Sequence, residues 1–533
     1  MRALLALLLA LAPAPLVARE AVEAAAPSAL AVTLYRDPNR GRDEELDRDW
    51  PQGFAMITET RQVTLPPGES TVRFTGVAEG MVAVSAIVTG LPGGTIEKNR
   101  NADLLSPAAL VDGTLGNRVT ITRTSRATGE AVSTPAIVRT RADGGLVLET
   151  AEGFEAVRCS GLPEKLTFER VPAGLSAQPV FSIDTRDPAG GTYTVQLTYL
   201  AWGFDWQAHY VATLDERGRD DDLRLRLMSW LTLLNDNGQS FADAELLVVA
   251  GTLNIDSDFE DLADAPEGRP LRLTCYPLGS TAAGSPVPPP PPPAPPPLQR
   301  VEEYADLESA DAMITVTGSM RAASAPAVMI ATEEQLGDLK LYRVPEPVTV
   351  SAKGLKQVAF LDKDAVEGRL LYRASCSPWD NQDEALPAGM LLVTVNDRQH
   401  GLGAALPSGG ITVFEPSAFG EQLVAEERIR DYAEGQDIEL ALGTSRQVFA
   451  LCQRPGDVDP HDEPARWTPM RVTLTNANPR PVRLRLSFGW SGDWRLRGLR
   501  GTSVKDGEVI AEVTVPGNGR REITWQVRPA GAT

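Results

Sequence analysis

The feature that most constrains this chain is the strict alternation of apolar and polar residues in several separate runs. Leu223, Leu225 and Leu227 alternate with arginines, and residues 482–488 and 522–528 repeat the pattern. Successive side chains of a strand point to opposite faces, so each run has one apolar and one polar face. With 46 glycines and 42 prolines to supply turns, the sequence predicts a mainly β protein. We expect several antiparallel β-sandwich-like domains, few short helices and a long Pro-rich inserted loop.

Two short segments are candidate helices. Ser106 followed by Pro107 has the residue types that cap and begin a helix. Residues 421–432 form the second candidate.

The first 18 residues predict a secretory signal peptide. Arg2 is followed by an apolar run of Ala and Leu that ends at Pro13, which is too short to span a membrane. We expect cleavage after Ala18, with a site within 21–26 as the alternative. Because no later apolar run is long enough to span a membrane, we expect no transmembrane segment after cleavage. The predicted location is periplasmic or secreted.

The charge balance limits the class of partner. The chain has 71 Asp and Glu against 51 Lys and Arg, a formal net charge of −20. Nucleic-acid binding needs a clustered cationic surface. We therefore expect no nucleic-acid partner.

Changes in composition divide the chain into five predicted segments and one insert. Residues 288–297 are proline except for one alanine, which predicts a stiff polyproline II spacer, or alternatively a ligand for an aromatic-lined groove. The predicted segments are a signal peptide at 1–18, an N-terminal β domain at 27–185, a central β domain at 186–365 that contains an acidic and Pro-rich disordered insert at 256–335, a β-rich segment at 366–464, and a C-terminal β-sandwich-like unit at 465–533.

Four cysteines in an exported protein allow three disulfide pairings. Cys376 and Cys452 each end a strand-like run, so we predict that these two are joined. Free buried thiols are the alternative.

Sequence motifs for catalysis or metal binding are not found. The chain has no nucleophile elbow, zinc-binding helix or phosphate-binding loop, and its three histidines are isolated in sequence. Acidic clusters at 256–264 and 457–463 lack calcium-loop spacing, which favours solvated loops over ion sites. We predict no catalytic residue, no metal site and no cofactor.

Aromatic residues and asparagine turns are the other recurrent features. Trp490 and Trp494 would suit sugar stacking if they were exposed, although aromatic residues in strands mostly pack in cores. The segments around Asn235 and Asn476 share a strand, an Asn-x-Asn turn and a second strand, which predicts two similar hairpins.

Residues 199–251 carry a resemblance to a known family. The pattern is a strand, a Trp-x-x-x-Tyr turn, and then a strand that leads to Asn, Gly, an aromatic residue and a terminal Gly. This block resembles the bacterial exported family labelled domain of unknown function 4139, whose members include mucoidy-inhibitor-like proteins. The resemblance implies a periplasmic, mainly β protein of unknown activity, in which the motif residues have a structural role. These residues are Trp206, Tyr210, Asn235, Gly238, Phe241 and Gly251.

The sequence therefore predicts an exported cell-envelope protein that acts by non-catalytic binding or scaffolding. Its partner would be an unknown envelope protein or polymer. Two alternatives stay open. An acidic cluster with one histidine in a cleft would favour an exported hydrolase acting on a wall or surface polymer. Exposure of Trp490 and Trp494 would favour a glycan-binding module.

Overall fold

The computed structural model describes residues 19–531, except 42–43, 102–103, 143–144, 158–161, 173–174, 218–221, 252, 254, 256, 264–268, 272–330, 337–338, 457–458 and 461. Several sequence predictions fall outside the described residues. They concern the signal peptide at 1–18, Cys159, Cys275, the proline run at 288–297 and His461.

The described residues form 29 strands and two helices, which confirms a mainly β protein with few short helices. In chain order the elements are β1 Glu20–Glu23, β2 Ala29–Tyr35, β3 Gly53–Leu65, β4 Gly68–Thr75, β5 Met81–Thr89, β6 Glu97–Asn101, α1 Pro107–Gly113, β7 Arg118–Thr124, β8 Ala131–Val138, β9 Val147–Thr150, β10 Gly153–Ala156, β11 Glu164–Phe168, β12 Val180–Asp187, β13 Gly191–Arg217, β14 Asp222–Asn235, β15 Phe241–Ala250, α2 Phe259–Ala263, β16 Thr332–Leu336, β17 Leu339–Arg343, β18 Val348–Val350, β19 Gly354–Ser375, β20 Leu386–Val395, β21 Gly409–Ser417, β22 Gly420–Ile429, β23 Asp437–Gln453, β24 Thr468–Asn476, β25 Val482–Trp490, β26 Trp494–Arg497, β27 Thr502–Lys505, β28 Glu508–Val515 and β29 Gly519–Pro529.

One of the two predicted helices is present. Helix α1 begins at Pro107, and the Ser106 hydroxyl accepts a hydrogen bond from the Ala109 amide at 3.3 Å. The prediction of a helix at 421–432 is wrong, because β22 occupies that segment and pairs antiparallel with β21. Gly420 has φ +101° at the tight turn between these two strands, where it begins a hairpin instead of a helix.

The chain divides into two compact units. One comprises the described parts of 99–182 and 265–328, and the other comprises those of 1–98, 183–264 and 329–533. The former contains a five-stranded antiparallel sheet in the order β10-β9-β8-β7-β11. Its core packs Val111 of α1 with Val119, Ile121 and Leu148 of the sheet. The domain boundaries predicted from the sequence stay predictions.

The larger unit is organised around β13, a strand of 27 residues. Its first half pairs with β3 and β5, and its second half pairs with β14 and β21. The register against β3 shifts between Trp202 and Phe204. Gly203 lies between them with φ +84°, which is a typical glycine position in a β-bulge. A single strand therefore contributes to two successive sections of sheet.

The sheets are mixed and not purely antiparallel. Parallel pairings include those of β1 with β4, β2 with β15, β13 with β21, and β19 with β25. Parallel neighbours need a long connection between them. Local alternation of residue types carries no information about such distant pairings.

The two Asn-x-Asn segments are the same structural device, but neither forms the predicted hairpin. Among the described pairings, β14 and β15 have different neighbours, as do β24 and β25. In each turn the first asparagine is buried and accepts a hydrogen bond from the amide two residues later, at 3.0 Å for Asn235 and 2.9 Å for Asn476. The Asn235 amide group donates to the Ser351 carbonyl at 3.1 Å, and that of Asn476 to the Pro516 carbonyl at 3.1 Å. Each turn is thus an arch that carries the chain from one set of strands to another.

The C-terminal part of the larger unit contains strands in the order β23-β24-β29-β26, and β25 pairs with β28. A disulfide joins Cys376, after β19, to Cys452 of β23, with Cα atoms 5.3 Å apart. Both cysteines are fully buried. None of the helices in the described part of the chain has the length and apolar character needed to cross a membrane.

Candidate functional site: a charged cleft

A cavity of about 710 Å³ opens on the larger unit and is lined mainly by charged residues. Five elements contribute to it: the start of β14, the middle of β19, the end of β20, the start of β23 and β25. The charged lining residues are Asp222, Arg224, Glu367, Arg369, His400, Asp437, Glu439 and Arg485. Its size is that of a small-molecule or oligomer-segment site.

A chain of ion pairs with alternating sign runs through this cleft. The Arg485 Nη1 atom lies 2.8 and 2.9 Å from the two oxygens of Glu439, and its Nη2 atom lies 3.3 Å from Glu512. Arg369 contacts the same Glu512 at 3.1 Å. At the other end, Lys505 lies 3.2 Å from Glu439. The charged side chains therefore hold one another in place. A ligand would have to immobilise fewer side chains on binding, which lowers the entropic cost of binding.

Arg485 at the centre of this chain is buried, its partner Glu439 is half-buried, and the carboxyl groups are ionised. The Arg485 side chain is 9% exposed and that of Glu439 is 23% exposed. Burial favours the neutral form of Glu439, but hydrogen bonds and charges from Arg485 and Lys505 outweigh it and lower its pKa. The pKa of Glu512 is lowered by the same balance, with Arg369 and Arg485 opposing burial. Both groups are therefore carboxylates at neutral pH.

The alternation pattern predicts that Arg485 lies on the polar, solvent-exposed face of β25. This prediction is wrong. Arg485 and Ser487 are each only 7% exposed, on the face opposite the buried Leu484 and Leu486. Residues 484–488 of β25 are thus buried on both faces of the strand. The alternation pattern misses this because it shows which residues share a face, but not whether a polar face is covered by another part of the chain.

His400 is the histidine that lines the cleft. Its Nδ1 atom lies 2.8 Å from Oδ1 of Asp397, and its backbone amide donates to the same oxygen at 2.8 Å. Hydrogen bonds from His400 lower the pKa of Asp397. The carboxylate orients the imidazole, as in general-base pairs. It also stabilises the turn at 397–400.

Three of the family-motif residues lie in the core and not in the cleft. Trp206 and Tyr210 are fully buried, and Phe241 is 3% exposed. The Tyr210 hydroxyl donates to the Pro407 carbonyl at 2.7 Å. The ring of Phe241 packs against Phe204 with centroids 5.8 Å apart. Their burial and contacts indicate that these three residues stabilise the fold.

The other three motif residues form turns and close backbone contacts. Asn235 is the first arch asparagine described above. The Gly238 amide donates to the Glu79 carboxylate at 3.0 Å, in a place where a Cβ atom would collide with that carboxylate. Gly251 has φ +114°, and a Cβ atom there would lie 2.7 Å from Leu339. Glycine is therefore favoured at Gly251 by its backbone conformation, whereas a side chain at Gly238 would displace the Glu79 carboxylate and its hydrogen bond.

The tryptophans proposed for sugar stacking differ from each other in exposure. Trp490 is 58% exposed, whereas Trp494 is 7% exposed. The ring of Trp494 packs edge-on against Trp379 with centroids 5.4 Å apart. Only one of the two rings is therefore placed to stack on a ligand.

The described residues contain no group of three or more His, Cys, Asp or Glu side chains arranged to hold a metal ion. Asp256 and Asp264 of the first acidic cluster, and Asp457 and His461 of the second, lie outside the described residues.

Comparison with family models finds no family that matches this chain, and comparison with curated proteins finds no similar sequence.

Proposed function

We propose that this chain is an exported cell-envelope protein that binds a polar partner in the charged cleft and acts as a binding or scaffolding protein. The observation that carries the proposal is the chain of ion pairs from Arg369 through Glu512, Arg485 and Glu439 to Lys505. Membership of the family of unknown function 4139 is part of the same proposal. It is supported by the motif residues in 199–251.

The charge state of the cleft favours binding over catalysis. A carboxyl group that serves as a general acid has a raised pKa, so that it is protonated near neutral pH. The pKa values of Glu439 and Glu512 are lowered instead. Their oxygens can accept hydrogen bonds from a ligand, and the guanidinium groups of Arg369 and Arg485 can donate them.

Site-specific photo-crosslinking in cells tests the proposal. A benzophenone amino acid replaces Arg224, whose side chain is 64% exposed at the cleft, and a control protein carries it at the exposed Arg126 of the other unit. We expect position 224 to capture a defined envelope protein or polymer that position 126 does not. Addition of R485M to the Arg224 variant should reduce that capture. Equal capture at both positions, or none, would contradict the proposal.

The pairing of Asp397 with His400 favours hydrolysis of a wall or surface polymer as the second candidate function. A histidine oriented by a carboxylate can activate water. Release of soluble fragments from isolated envelope polymer, lost in H400N but retained in R126Q, would establish the hydrolase and overturn the non-catalytic proposal. We expect no release by any of these proteins.

A further inference from the structure

The C-terminal segment has a charge opposite to that of the rest of the chain. Residues 465–533 contain 12 Lys and Arg against five Asp and Glu, a net charge of +7, whereas residues 1–464 carry −27. A segment whose charge departs so far from that of its own chain generates a local positive potential.

Four arginines of this region lie on one face of the β24-β29-β26 sheet. In β26, Arg495 pairs with Arg528 of β29, and Arg497 pairs with Gln526. Residues paired directly across antiparallel strands share a face. Arg471 of β24 pairs with Thr524, two residues before Gln526, and so lies on that face as well. The backbone positions of Arg495, Arg497 and Arg528 are therefore about 5 to 7 Å apart, whereas Arg471, on the other side of β29, lies more than about 10 Å from each of them.

In this arginine face, defined as Arg471, Arg495, Arg497 and Arg528, the guanidinium groups of three residues contact neutral side chains. The Cζ atoms of Arg497 and Arg528 lie 4.3 and 4.9 Å from the ring centre of Trp467.

Two glutamines complete these supports. Arg497 donates to Gln526 at 2.5 Å, and Arg471 donates to Gln453 at 3.1 Å. Within the part of the chain that the structure describes, no carboxylate lies within 4.0 Å of these four guanidinium groups.

Two glutamates close in sequence to the arginine face do not pair with its arginines. Glu522 lies on the same face but nearer the start of β29, where it pairs with Thr473 of β24. Glu463 pairs with Arg466 at 3.1 Å. The arginine face is thus positive where Arg495, Arg497 and Arg528 meet, with the acidic group of Glu522 on the same face towards the start of β29, and a positive surface of this kind is complementary to an anion.

We propose that the arginine face binds an acidic polysaccharide whose sugar units carry carboxylate groups. Guanidinium groups match planar carboxylates, with two N–H donors for two oxygens. An anionic membrane would instead bring the surface of a strongly acidic chain close to its own charges, within the screening length of about 8 to 10 Å. This inference is independent of the charged cleft and of its partner.

The test measures binding of the full chain to polygalacturonate, with neutral dextran and phosphatidylglycerol vesicles as comparison ligands. We expect binding to polygalacturonate that weakens with salt, and at least a tenfold weaker affinity for R495Q/R497Q. The matched control is R118Q/R126Q, which removes the same charge from exposed sites of the other unit and should bind like the unaltered protein. Equal melting temperatures of the two double variants would show that R495Q/R497Q folds normally.

Three results would overturn the inference. One is the absence of binding to polygalacturonate, and another is an equal loss in both double variants. The third is binding to the vesicles without binding to polygalacturonate, which would identify a membrane surface as the ligand. Because polygalacturonate binding does not involve Arg224 or Arg485, failure here would leave the cleft crosslinking result unaffected.

Discussion

Replacement of Asp205 by asparagine should change how the stability of the protein depends on pH. Asp205 is 2% exposed, and one of its oxygens lies 2.8 Å from Nη1 of Arg40. The other oxygen accepts hydrogen bonds from the amides of Asp37 and Trp206 at 3.1 and 2.8 Å. Burial nevertheless dominates over these partners and raises the pKa of Asp205 from 3.8 to about 6.

The size of the expected change in folding stability follows from this shift in the pKa of Asp205. Between pH 3.8 and about 6, the folded state holds a proton on Asp205 that the unfolded state has released, so folding stability falls as the pH rises through this window. About two pKa units at roughly 1.4 kcal/mol each correspond to about 3 kcal/mol in full. The part that falls between pH 4 and pH 7 is about 2 to 3 kcal/mol. Asparagine does not titrate, so D205N should gain this amount relative to the unaltered protein over that range.

Urea unfolding followed by tryptophan fluorescence, at half-unit pH steps, measures the difference between the two proteins. D506N, which removes an exposed carboxyl group in the turn between β27 and β28, is the control and should show no such gain. R40M should extend the loss of stability above pH 6, because the Arg40 charge lowers the pKa of Asp205. A constant difference between D205N and the unaltered protein from pH 4 to pH 7 would refute the reasoning.

Three further predictions concern the disulfide, the glycine at position 251 and the proposed signal cleavage. C376S/C452S should lower the free energy of unfolding by about 4 kcal/mol, because the disulfide closes a loop of 76 residues; an unchanged urea midpoint under oxidising conditions would contradict this. G251A should lower the free energy of unfolding by about 1 to 3 kcal/mol, since alanine at φ +114° is strained and its Cβ would lie 2.7 Å from a neighbouring methyl group; thermal unfolding measures the loss, and equal melting temperatures would count against it. If the proposed signal peptide is cleaved after Ala18, N-terminal sequencing of protein from the periplasmic fraction should give Arg19 as the first residue, which lies 3.4 Å from a glutamate of β4 and precedes β1; a start within 22–27 would remove residues of a paired strand and disprove the expectation.

The local parts of the fold could be predicted from the sequence. The alternation in β14 and β29 identifies their buried rows, and the cap at Ser106 identifies helix α1. These features depend on residues close together in the chain, where periodicity and capping act directly.

The candidate site could not be predicted in the same way. The cleft brings together β14, β19, β20, β23 and β25, and no local pattern shows that these strands meet. Arg485 is an example, because its neighbours in sequence predict a solvated arginine, whereas the structure buries it and pairs it with Glu439 and Glu512 of other strands. The two Asn-x-Asn turns were recognised as a shared motif. Their role as arches depends on carbonyl groups at Ser351 and Pro516, far along the chain.

The parallel pairing of β13 with β21 has a consequence for how the chain folds. It joins residues 208–213 to residues 409–414, about 200 positions apart. Chains dominated by such distant contacts fold slowly, because loop-closure entropy is lost before the contact forms. While residues 409–414 are still being synthesised or translocated, this edge of β13 has unsatisfied backbone groups that can pair with another chain. Aggregation during folding should therefore start at this edge, and a chaperone that binds extended segments should protect residues 208–213 first.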